Sequence, residues 1–178
     1  LEAQAALADS NDAETRRLLS RLQRDYPAHP RAQAAQLGLA QYYLDQGALQ
    51  KAKGQLQVIA TAPNSPQEGA RALYLLGRTE QTQGHLNTAL PYFRQVYTRY
   101  PNADLAPAAL YAQGVVQVRQ KRYDRATASL ERLGETYSAS PFAQNLGTVL
   151  GEVYYRVGQY EQAATELQRR LPNLRGPA

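Results

Sequence analysis

Sliding the chain along itself by 37 residues brings four columns into register. Ala52, Ala89, Ala126 and Ala163 make the first; Leu19, Leu56, Phe93, Leu130 and Leu167 the second. Leu22, Ile59, Val96 and Leu133 make the third, and Ala40, Gly77, Gly114 and Gly151 the fourth. A unit of this length that recurs through 178 residues constrains the fold more than any single motif. One such unit cannot bury its apolar face alone, so neighbouring units must stack on one another to build a continuous core.

Each unit reads as two helices. The leading helix runs from a proline-marked start (Pro30, Pro66, Pro141) to a glycine stop (Gly47, Gly84, Gly158). Glycine past a helix end can take the left-handed conformation that closes the backbone. Ser65-Pro-Gln-Glu68 has capping-box spacing with proline at the first helical position, Asn11-Asp-Ala-Glu14 has similar spacing, and Ser140 precedes Pro141. In the trailing helix, Ala89, Phe93 and Val96 fall on one face of a 3.6-residue period. The small columns belong where the two helices cross, because only small side chains allow that approach. Tyr100-Pro101 ends a unit, since proline lacks an amide donor and restricts the residue before it.

Composition agrees with an all-α chain. Hydrophobic residues are 43 % but rest on alanine and leucine, with two Phe, no Trp and no Met. No apolar run reaches the roughly 18 residues a membrane helix needs. The absence of Met implies a chain that begins inside a longer protein, with any signal peptide or lipid anchor upstream. There is no Cys, which excludes disulfides and thiolate metal sites. The net charge of +5 is carried almost wholly by arginine and reads first as solvated helix faces, with an acidic partner surface as the alternative.

Leu76-Gly77, Ala89, Phe93 and Tyr100-Pro101, at these spacings, resemble the tetratricopeptide repeat (TPR), whose usual period is about 34 residues. The extra residues here fall in the turn between units, as in Tyr100 to Pro107. That long turn, with Tyr-Pro closing a unit, resembles a bacterial cell-envelope subgroup of the family, of the β-barrel assembly lipoprotein and Tol–Pal coordinator type. The resemblance implies a right-handed TPR superhelix. The expected organisation is a partial N-terminal repeat or cap (1–29), four hairpins (30–64, 65–101, 102–138 and 139–172) and a tail (173–178). Some residues depart from the pattern. The aromatic expected one turn after the crossing residue is Tyr43 and Tyr154 in two units but Glu80 and Gln117 in the middle pair. Thr15 stands in the alanine column, and Pro91, inside a trailing helix, is expected to bend it.

The catalytic inventory is nearly empty. His29 and His85 both fall in turns without a carboxylate cluster, and a metal site needs three or four convergent ligands. No phosphate loop follows a strand. The expectation is therefore a protein that is not an enzyme, takes no cofactor, metal or small-molecule substrate, and works as a binding scaffold. In a TPR superhelix the leading helices line a concave groove. The repeat register places Tyr74, Arg78, Tyr111, Arg119, Tyr155 and Arg156 there as candidate partner-binding residues. Tyrosine offers a large apolar face and a polar tip with little rotamer entropy to lose, although packing between leading helices would explain the same columns. One TPR subclass grips a peptide carboxylate with a fixed Lys/Asn set. Leu37, Gln41, Arg78 and Val115 occupy those columns instead, so that clamp is not assembled.

The partner expected is a protein or peptide, in a bacterial envelope or periplasmic setting, with the cytoplasm as the alternative. Self-association through a solenoid end is the second reading. The opening Leu1, Ala5 and Leu7 suggest weak pairing there, while Glu161, Arg169 and Arg170 make the last helix resemble a natural stop. Nucleic-acid binding is disfavoured, because Lys121, Arg122 and Arg125 alternate with Asp124 and no dense basic stripe appears.

Overall fold

The computed structural model describes residues 12–26 and 30–168. Leu1, Ala5, Leu7, the cap expected at Asn11, His29, the Arg169–Arg170 stop and the tail lie outside the described residues. Among the described residues every regular element is a helix. Contacts divide the chain into two compact units that part between Leu105 and Ala106.

The first unit holds α1 (Asp12–Asp25), α2 (Pro30–Asp45), α3 (Leu49–Thr61), α4 (Pro66–Thr82) and α5 (Leu86–Arg99). Here α2 pairs with α3 and α4 with α5, while α3 also packs against α4. The second unit holds α6 (Ala106–Arg119), α7 (Tyr123–Thr136), the short α8 (Pro141–Gln144), α9 (Leu146–Arg156) and α10 (Tyr160–Gln168). In it α6 pairs with α7, α9 pairs with α10, and α9 also packs on α7.

The apolar columns explain the pairing. Leu56, Ile59, Phe93, Val96, Leu130 and Leu133 are completely buried, each contributing roughly 1.5–3 kcal/mol. The small column is where the partner helix comes closest. A Cβ on Gly77 would stand 2.6 Å from the Phe93 ring, and one on Gly114 would stand 2.6 Å from Leu130. Gly151 faces Leu167 in the same way, with its Cβ position 2.9 Å from Leu167 Cγ. Leu167, however, is 48 % exposed, on the last of the described helices.

Four turns join a leading to a trailing helix by one motif. In the first of these turns, Ala48 N–H donates to Tyr43 and Gly47 N–H to Leu44. The turns at Gly84, Lys121 and Gly158 repeat both bonds with their own residues. This is the Schellman closure, which needs a left-handed residue after the helix. Gly47, Gly84 and Gly158 supply it at φ 69°, 79° and 81°. In the third turn Lys121 holds φ 58°, a conformation that costs a non-glycine residue about 1 kcal/mol.

Caps set the starts. Ser65 Oγ accepts from Glu68 N–H at 3.2 Å with Pro66 at the first position, and Ser140 Oγ accepts from Ala143 N–H at 3.1 Å. Tyr100 has a task beyond preceding a proline. Its N–H still bonds Val96 O at 2.9 Å, and its ring folds back over α4, where a Cβ on Gly69 would lie 2.6 Å from the hydroxyl oxygen. Glutamines tie the inter-hairpin turns down. Gln33 donates to Ala62 O and accepts from Asn64 N–H, and Gln67 accepts from Asp104 N–H.

One leading helix departs from expectation. The helix that starts at Pro141 is interrupted at Asn145, whose Nδ2 donates to Pro141 O at 2.9 Å and so takes a carbonyl the helix would have used. Along α5 the helix runs unbroken through Pro91.

Candidate partner-binding surface

The six residues singled out from the repeat register fall in both units: Tyr74 and Arg78 on α4 in the first, Tyr111 and Arg119 on α6 and Tyr155 and Arg156 on α9 in the second. Their environments differ. Tyr74 is half-buried, its ring tilted 5.9 Å from Phe93, and its hydroxyl accepts from Arg78 Nη1 at 3.4 Å. Tyr74 therefore serves the packing of its own hairpin as well as the surface. Tyr111 is also half-buried and stands 5.7 Å from the ring of Phe142, which α8 holds in place. Tyr155 is 65 % exposed and meets Tyr160 edge-on at 5.5 Å. Arg156 pairs with Glu152 at 3.2 Å on the same helix, and Arg119 is exposed at the end of α6.

Phe142 and Tyr160 are ring partners that the repeat columns did not single out. Each lies at the start of its helix, and Tyr160 stands 37 residues after Tyr123, in a further column that also holds Leu49 and Leu86.

The polar departures from the repeat are resolved inside the units. Glu80 is 2 % exposed and sits between two side chains, with Lys53 Nζ at 2.5 Å and His85 Nδ1 at 2.9 Å. Burial opposes its ionisation, but the hydrogen bonds from Lys53 and His85 outweigh that and hold the carboxyl below the ordinary carboxylate range. His85 therefore has Glu80 as a carboxylate partner. Gln117 at the same column accepts from Ser129 Oγ at 2.8 Å, and Ser129 in turn accepts from Gln113. Where the aromatic is kept, Tyr154 donates its hydroxyl to Glu131 at 2.8 Å. Burial and that carboxylate push the phenol up to about 12. Among the described residues no set of three His, Asp or Glu side chains is placed to hold a metal ion, and no helix is long and apolar enough to cross a membrane.

No curated protein matches the chain in sequence. Among solved structures, that of MamA superposes with a TM-score of 0.72 at 16 % identity, covering 96 % of this chain and 92 % of that one. MamA from Desulfovibrio magneticus gives a TM-score of 0.69 at 16 % identity, covering 98 % and 93 %. A tetratricopeptide repeat protein from Parabacteroides merdae gives 0.60 at 14 % identity, covering 96 % and 77 %. The fold of the chain is therefore that of tetratricopeptide repeat proteins, and its residues 74–141 match the tetratricopeptide repeat family directly.

Proposed function

We propose that the chain is a non-enzymatic protein-interaction scaffold, acting within a larger bacterial cell-envelope protein and binding a peptide or partner domain on the leading-helix faces of its hairpins. Tetratricopeptide folds typically serve as such scaffolds, which supports the class of function. The observation that carries the site is Tyr155. It is 65 % exposed, its ring rests edge-on against Tyr160, and it stands on a helix whose other face is locked into the core through Leu150 and Val153. A rigid, pre-ordered aromatic at the surface loses little entropy on binding, and Tyr and Arg are the residues that most often dominate such contacts. Tyr111, Arg119 and Arg156 are the other candidates on the second unit, and Tyr74 and Arg78 are those on the first.

Affinity capture with the wild-type chain and with Tyr155→Ala combined with Arg156→Ala tests this. Both side chains are exposed, so the variant should keep its helical spectrum. A partner retained by the wild type and lost by the variant is the expected result. A partner bound at full affinity by both chains refutes the assignment of these residues.

A further inference from the structure

We infer that the second unit carries a separate docking site for an acidic peptide segment, at the edge formed by its turns. The site is a hollow of about 470 Å³, open to solvent and lined by Lys121, Arg122, Tyr123, Asp124, Arg125 and Val157. Five of these belong to the α6–α7 turn and the first turn of α7, and Val157 comes from the α9–α10 turn. None is among the leading-helix residues proposed above, so the inference does not rest on that reading.

Two independent features point to carboxylates. The first is charge. Three cations line one hollow against a single carboxylate, giving a local surplus of two within five consecutive residues. The second is the backbone under Lys121. The equivalent turns place glycine at the left-handed position, and here a lysine holds φ 58° with the same closing hydrogen bonds. Glycine would close this turn with less strain, so the cation stands there against the local conformational preference. What the lysine adds is a third positive charge on the hollow.

The remaining lining selects the occupant. Asp124 in the midst of the cations repels a continuous run of phosphates, whereas an extended peptide can set its carboxylates on Lys121, Arg122 and Arg125 and avoid Asp124. Tyr123 and Val157 offer apolar surface to the side chains between. An open, polar hollow suits a chain segment better than the enclosed, apolar cavity that a small molecule requires.

Fluorescence anisotropy tests the site with the full chain and three labelled probes: a ten-residue peptide alternating glutamate and leucine, the same peptide with glutamine, and an oligothymidine of matched charge. The glutamate peptide should bind with an affinity that falls as salt rises, and the glutamine peptide at least about tenfold more weakly. Lys121→Gly should weaken the glutamate peptide about two- to fivefold while raising the melting temperature, because it removes both the charge and the strain. Arg122→Gln with Arg125→Gln should weaken it further. The inference is overturned if the two peptides bind alike, or if Lys121→Gly stabilises the fold without loss of affinity. Tighter binding of the oligothymidine with the same variant sensitivity would overturn it in favour of nucleic acid.

Discussion

Placing a methyl group on Gly77 tests whether the small column is a true crossing point. The Cβ of Gly77→Ala would lie 2.6, 2.8 and 3.0 Å from Cε1, Cδ1 and Cζ of Phe93. Carbon atoms pack comfortably at about 3.5–4.0 Å, so the ring must withdraw by roughly 1 Å. Phe93 is completely buried and its ring also meets Tyr74, so the strain must spread into the hairpin. Overpacking of this kind costs about 1–3 kcal/mol, and the better helix propensity of alanine offsets about 0.8–1 of it. The expected net loss is about 1 kcal/mol.

The preceding hairpin shows the remedy. There Ala40 and Leu56 occupy the same two columns, and both are completely buried. Phe93→Leu alone should cost about 1 kcal/mol through the space it leaves. The double variant Gly77→Ala with Phe93→Leu should then lose about 1 kcal/mol or less, where additivity would give about 2, a coupling near 1 kcal/mol. Urea unfolding followed by circular dichroism on the four chains of this cycle measures it. If Gly77→Ala proves more stable than wild type by the full propensity gain, and the coupling is zero, the close crossing at Gly77 does not exist.

Other outcomes follow from the same contacts. Glu80 titrates below its ordinary value only in the folded chain, so the stability it contributes is present above the unfolded value of about 4.5 and is lost as pH falls through the lower folded one. Glu80→Gln should flatten that part of an acid-unfolding curve, and an unchanged curve would contradict the Lys53–Glu80–His85 arrangement. Ser65→Ala removes the acceptor of Glu68 N–H and should cost about 1 kcal/mol in urea unfolding. Asn145→Ala releases Pro141 O, and the interrupted helix should become continuous, seen as added protection of the amides around Leu146 in hydrogen exchange.

Much of this architecture is legible in the repeat alone. The small and large columns name the residues that meet at Gly77–Phe93 and Gly114–Leu130, because helix periodicity by itself decides which side chains share a face. The Ser65 and Ser140 caps and the stops at Gly47, Gly84 and Gly158 are legible for the same reason, being properties of five or six consecutive residues. For the binding surface, sequence places Tyr155 and Arg156 on one helix but does not indicate that Tyr155 is exposed against Tyr160 while Tyr74 is partly spent on Phe93. How far a ring stands out depends on what the neighbouring helix offers it.

Only the tertiary structure decided the remainder. Glu80 and Gln117 look like lapses in an aromatic column until Lys53, His85 and Ser129 arrive from other segments to satisfy them. Lys121 reads as an ordinary basic turn residue until its backbone is seen in the conformation that glycine holds in the sister turns. A single chain writes out its local periodicities in full. Which distant groups meet a buried carboxylate, and which residue bears the strain of a turn, are set by how the helices pack, because those energies exist only once the hairpins have closed.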